Sequence, residues 1–98
     1  MSEVEQFIQE TSEVLASGGW AKGRYVNDKG EHCMLGAMRV ALHELKFDNA
    51  VSVYHAAQDR IEGLLPEDLN YIPFFNDHPD TTYEDVQLVL KRAMEEEA

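Results

Sequence analysis

Apolar residues recur at helical spacing from the first residues of the chain. Val4, Phe7, Ile8, Thr11 and Leu15 share one face, and Glu3, Gln6, Gln9, Glu10 and Glu13 take the other. That is the period of an amphipathic helix packed on one side. Ser2 and Glu5 have the S-x-x-E spacing of a capping box, and Gly18-Gly19 supplies a left-handed stop. The pattern predicts a first helix over 3–17. Residues 33–46 repeat the period with a broader apolar face: Met34, Leu35, Met38, Ala41, Leu42 and Leu45, extended by Cys33, Gly36, Ala37 and Val40. A helix this apolar is nearly surrounded by protein, and Gly36 inside it marks the close approach of another backbone.

A third helix is predicted over 49–64, capped by Asp48 or Asn49, with Ala50, Val53, Tyr54, Ala57, Ile61 and Leu64 inward. A fourth is predicted over 83–95, capped through Thr81–Glu84 or Thr82–Asp85, with Tyr83, Val86, Val89, Leu90, Ala93 and Met94 inward. Between these helices the period is lost. Residues 20–32 hold Gly23, the turn Asn27-Asp28-Lys29-Gly30 and the run Arg24-Tyr25-Val26, which read as a loop or short β-hairpin. Residues 66–79 carry Pro66, Pro73 and Pro79, and read as one helical turn near 67–71 followed by an irregular stretch. The expected fold is all-α: one compact domain over 1–98, about four helices and one excursion after the first. Residues 1–2 and 95–98 are expected to fray, because Glu95-Glu96-Glu97 set like charges at the negative end of the helix dipole. The expected core is Phe7, Ile8, Leu15, Leu35, Met38, Leu42, Tyr54, Ile61, Val86 and Leu90.

Composition adds a strong charge bias. The 98 residues include 19 acids and 8 bases, a net charge of −11, and residues 50–98 carry eleven acids against three bases. Such a chain repels nucleic-acid backbones and attracts basic protein surfaces. Direct DNA or RNA binding is not expected, and mimicry of a nucleic acid is the weakest reading. No apolar run reaches the ~20 residues of a membrane span, and the acidic first residues do not read as a signal peptide. Cys33 is the single cysteine. A free thiol fits a reducing compartment, so a cytoplasmic location is expected.

Candidate chemistry is sparse. Cys33 opens the second helix beside His32, where the dipole favours a thiolate, yet its apolar neighbours make a buried, inert thiol the expectation. His32, His43, His55 and His78 share no helix face at i, i+4, and a set of Cys33, His32, His78 and Asp77 is weak for zinc. No catalytic residue, metal set or cofactor site is assigned. Glu44 and Asp59 read as solvated faces. Asn76-Asp77, between two prolines, fits a turn organised by side-chain bonds to the backbone. Trp20 fits an anchor of the excursion to the core.

In order along the chain stand Gly19-Trp20 with Gly23, then Gly30-x-x-Cys33-x-x-Gly36-Ala37, then Asn76-Asp77, then Thr82 with Asp85-Val86. This constellation resembles the uncharacterised family called domain of unknown function 6197, found in actinobacteria and their phages, over about residues 15–93. A tryptophan usually precedes the Asn-Asp pair in that family, and Phe75 stands there in this chain. The resemblance implies a compact helical domain, a phage or actinobacterial origin and no particular activity. Trp20, Cys33, Gly36, Asn76 and Asp77 are the candidate interaction or structural-motif residues, and their segments are expected to meet in space. The expected function is a non-enzymatic protein-interaction module, acting on a host protein if the gene is viral. The alternative is a small-molecule binder or enzyme with a pocket near Cys33 and Asp77. A protein partner is expected, and a weak homodimer through the aromatic stretch Tyr71–Phe75 is the other form of association considered.

Overall fold

A computed structural model describes residues 2–95. Five α-helices and one 3-10 turn follow in order: α1 (Glu3–Gly18), α2 (Met34–Leu45), α3 (Ala50–Gly63), the 3-10 turn (Glu67–Leu69), α4 (Ile72–Asp77) and α5 (Tyr83–Glu95). The chain is all-α, as its periodicity predicts. α1 is the hub and packs on α2, α3 and α5, while α4 lies against α2 and α3. Among the described residues no helix is long and apolar enough to cross a membrane.

The ends of the helices are set by side chains. The Ser2 hydroxyl accepts the Glu5 amide at 3.1 Å, and the Glu5 carboxylate accepts the Ser2 amide at 3.4 Å. Hydrogen bonds from the Ser2 hydroxyl, first, and from the Ser2 amide to the Glu5 carboxylate hold that carboxyl below its ordinary value, since both favour the charged form. Ser2 is therefore the cap of α1, and Glu95 is the last residue of α5. The expectation for Met1 and for 96–98 lies outside the described residues. Thr82 and Asp85 cap α5 reciprocally, at 2.9 and 3.2 Å. Asn49 occupies the cap position of α3 without a side-chain bond.

Residues 72–77, expected to be irregular, form the short helix α4. Pro73 sits in its first turn, where the backbone needs no amide donor. The Glu62 carboxylate accepts the Ile72 amide at 3.1 Å, and the Tyr71 carbonyl accepts the Phe75 amide at 3.1 Å. Pro79 stops the helix by holding His78 extended. Residues 20–32 form a loop closed by isolated bridges, Trp20 with His32 and Val26 with His32, rather than a hairpin of strands.

Phe7, Ile8, Leu15, Met38, Ile61, Val86 and Leu90 are fully buried, as expected. Leu35, Leu42 and Tyr54 are not. They are partly buried and pack on the rim of the core, with the Tyr54 ring 5.8 Å from that of Phe7. α2 turns Met34, Ala37, Met38 and Ala41 inward instead. These four lie at i, i+3, i+4 and i+7, and the two alanines let α1 come close. The period was correct, and the inward face lies one residue round from Leu35 and Leu42.

Candidate functional site

The site is built on one buried amide. Asn76, on α4, is 1% exposed and makes four hydrogen bonds. Its Oδ1 accepts the Trp20 indole Nε1–H at 2.7 Å and the Met34 amide at 2.9 Å. Its Nδ2 donates to the Ala21 carbonyl at 3.1 Å and to Asp77 Oδ1 at 2.9 Å. Both donors and both lone pairs of the amide are thus engaged. Asp77 Oδ1 also accepts the Gly23 amide at 2.9 Å. Three distant segments meet here: the loop after α1, the start of α2, and α4.

The start of α2 shows why they meet. A helix leaves its first amides without partners inside the helix. The Met34 amide goes to Asn76, and the Gly36 amide goes to Cys33 Sγ at 3.3 Å. Cys33 is therefore a cap and partly buried, rather than the buried thiol expected from its apolar neighbours. Gly36 is required by sterics. A Cβ placed on it would lie 2.0 Å from the Tyr25 carbonyl oxygen. The loop lies directly on the helix, as a glycine inside this apolar face predicted.

The loop itself is organised by Asn27, whose Oδ1 accepts the amides of Lys29 and Glu31 at 3.0 Å each. Gly19 enters the loop at φ +96°. Lys22 Nζ donates to the His78 carbonyl at 2.7 Å and sits 5.4 Å from the Trp20 ring centre, fastening the loop to the end of α4. Arg39 lies 4.7 Å from the Tyr25 ring centre and holds the far side of the loop to α2.

Above this knot is a hollow of about 200 Å³, lined by Arg24, Tyr25, Cys33, Leu35, Pro73 and Asp77 among others. Among the described residues, no three His, Cys, Asp or Glu side chains stand together as metal ligands. His32 does not join Cys33 in the hollow, since its backbone bridges Gly19 and Ala21 and its Nδ1 is buried without a partner in the protein. His78 lies on another face, beside Asp80 and Leu88.

One pairing had no sequence signal. Glu10 on α1 and Glu44 on α2 share a hydrogen bond across the groove between those helices. That bond, with partial burial and the neighbouring charge, raises the Glu10 carboxyl above its ordinary 4.5. Glu44, read as a plain solvated face, therefore has an acidic neighbour. Neither residue could be matched to the other before the packing of α1 on α2 was known.

No curated protein and no solved structure matches the chain. A family model does match, over nearly the whole chain and beyond the stretch 15–93 on which the resemblance rested. Of the residues that carried that resemblance, Trp20 and Gly23 bond to Asn76-Asp77 and Cys33 and Gly36 stand at the start of α2 in this knot, while Thr82 and Asp85 cap α5 outside it. By the match over residues 1–96, the chain belongs to the family of unknown function DUF6197.

Proposed function

We propose that this chain is a non-enzymatic protein-interaction module. The observation that carries the reading is the commitment of most of the convergent polar atoms to the fold itself, with the outer oxygen of Asp77 turned away from the knot's bonds. All four bonding positions of Asn76 are engaged, Asp77 Oδ1 takes two donors, and Cys33 Sγ takes the Gly36 amide. A nucleophile or general acid needs a free lone pair or proton facing substrate. Groups bound in this way instead fix three segments into a rigid scaffold. The outer surface combines that scaffold with a charge of −11 and large apolar side chains in solvent, among them Phe74 at 63% and Leu88 at 56%. Apolar side chains ringed by charge are the usual composition of a protein-binding surface. The module works in the cytoplasm, where the free Cys33 stays reduced, and on a host protein if its gene belongs to a phage.

Affinity capture from a lysate of the cell that expresses the gene, read by quantitative mass spectrometry, tests this. A protein retained in stoichiometric amount through moderate salt supports the reading. Capture of nothing above background at any salt concentration sinks it.

The hollow beside Cys33 and Asp77 favours a second reading, a binder of small molecules. Its volume of about 200 Å³ falls below the roughly 300–1,000 Å³ usual for ligand pockets. That size admits fragments rather than cofactors. A fragment screen by NMR would support this reading through shifts confined to Leu35, Ile72 and Asp77, and would remove it if none appeared.

A further inference from the structure

α5 and the segment from the 3-10 turn to α4 do not close on one another. A groove of about 390 Å³ runs between them, lined by Leu64, Pro66, Leu69, Phe75, Leu88 and Val89. Leu88 stands on its wall, more than half exposed. A second exposed apolar patch lies on α4, the helix that gives Phe75 to the groove. Tyr71 precedes Phe75 by one helical turn, and its ring packs edge-on against Phe74 at 5.0 Å on the outer side of α4. Tyrosine is among the side chains most enriched where a few contacts anchor a partner.

Acids outnumber bases around this surface, although His78 also lines the groove and Lys22 reaches the His78 carbonyl at its edge. Asp80 and Asp85 line the groove against Arg92, and Glu67 and Asp68 stand exposed between Pro66 and Leu69. Arg60, the other base of α3 to α5 besides Lys91 and Arg92, is turned inward to the Ala93 carbonyl at 3.2 Å. A second copy of the chain would bring the same acids to the same place, and a nucleic acid would bring phosphates. A basic partner alone gains from both the charge and the burial.

We propose that this groove, with the Tyr71–Phe74 pair beside it, is the docking surface for a basic, apolar-anchored peptide segment of a partner protein. The proposal rests on the interaction-module reading and specifies where the module binds and what chemistry it takes. Leu88 and Phe74 supply the apolar contact, and the acidic rim selects the charge and speeds encounter.

The test is selection of short peptides from a displayed random library against the immobilised chain. The selected peptides are then measured against Leu88→Lys, Phe74→Lys and Val51→Lys variants. Val51 is 70% exposed at the far end of α3, and its lysine variant changes the net charge equally. All three positions are on the surface, so thermal melts are expected to stay close to that of the unmodified chain. The expected peptides carry a net positive charge and two or more large apolar side chains. Their affinity should fall about tenfold or more on Leu88→Lys and Phe74→Lys, stay unchanged on Val51→Lys, and weaken as salt rises. Peptides indifferent to both groove substitutions, peptides with no basic excess, or failure to enrich any peptide would overturn the proposal. So would self-association of the chain that Leu88→Lys abolishes, because the occupant would then be a second copy. A cellular partner captured equally by the chain and by both groove variants removes this surface and leaves the module. Absence of any captured partner counts against the module itself.

Discussion

Asn76 joins three segments through one amide, and that arrangement makes its chemistry exacting. Asp in its place keeps the two acceptors for Trp20 and Met34 but loses both donated bonds, to Ala21 and to Asp77. A buried carboxylate would then face the Asp77 carboxylate. Each buried group left unpaired costs about 1–3 kcal/mol, so Asn76→Asp should lower stability by several kcal/mol. Trp20 is the only tryptophan, and its fluorescence reports the opening of its loop to solvent when the bond to the adjacent Ala21 carbonyl is lost. A red-shifted emission and a lowered melting temperature are expected together; an unchanged spectrum and melt would contradict the role given to this amide. Gly36 is exacting for a steric reason. Alanine is better than glycine inside a helix by about 1 kcal/mol, but a Cβ at 2.0 Å from a backbone carbonyl forces the loop off the helix, at a cost typically of about 1–3 kcal/mol or more. Gly36→Ala should therefore destabilise. Gly63→Ala, whose Cβ would meet nothing within 4 Å, should be neutral or should stabilise slightly. Urea denaturation of the pair checks the sign of each.

Among the described helices, α1 packs most extensively on α2, and that interface also brings two acids together. Glu10 faces Glu44 across their groove, and its raised carboxyl value means that the fold binds a proton more tightly than the unfolded chain does. The sign follows from linkage. The pair's contribution to stability is fully present below the ordinary value of 4.5, and it is lost as the pH rises through the higher folded value. At neutral pH two like charges remain. Glu10→Gln keeps the hydrogen bond without the second charge. The variant should be more stable than the unmodified chain at neutral pH, and the difference should shrink as pH falls toward 4.5. Denaturation at the two pH values measures that difference. A gap that widens on acidification would mean that the two carboxyls do not share a proton.

For the whole molecule, the balance is between a charge of −11 and the apolar surface left outside. The aromatic stretch after Tyr71 divides. Ile72 and Phe75 close the core of their own chain, while Tyr71 and Phe74 remain 46% and 63% exposed. Two copies meeting through these residues would gain burial against mutual repulsion. Repulsion between exposed charges is screened beyond about 10 Å near 0.1 M salt, while burial is not. Any self-association through this face should therefore strengthen as salt rises, as read by sedimentation at two salt concentrations. A dimer that dissociates with added salt would instead be held by ion pairs.

The residues determined the helices directly, because helical periodicity and capping are local. The 3.6-residue period, the Ser2–Glu5 box, the Thr82–Asp85 cap and the glycine stop after α1 all involve residues within a few positions of one another. The glycine inside α2 even foretold the close approach that Tyr25 makes. Local signals were weakest for α4, where three prolines argued for irregular chain, although a proline in the first turn suits a helix whose initial amides are bonded from outside. What only the tertiary structure decided were matters of direction and partner. Leu35 and Leu42 belong to the same broad apolar face as Met38, and the approach of α1 selected which part of that face became the core. Asn76 could be read as a turn former, but three of its four partners lie 42 to 56 residues away, and Glu10 meets Glu44 only because α1 packs on α2. A sequence states which atoms can donate, accept or be buried; the packing of distant segments decides which of them meet.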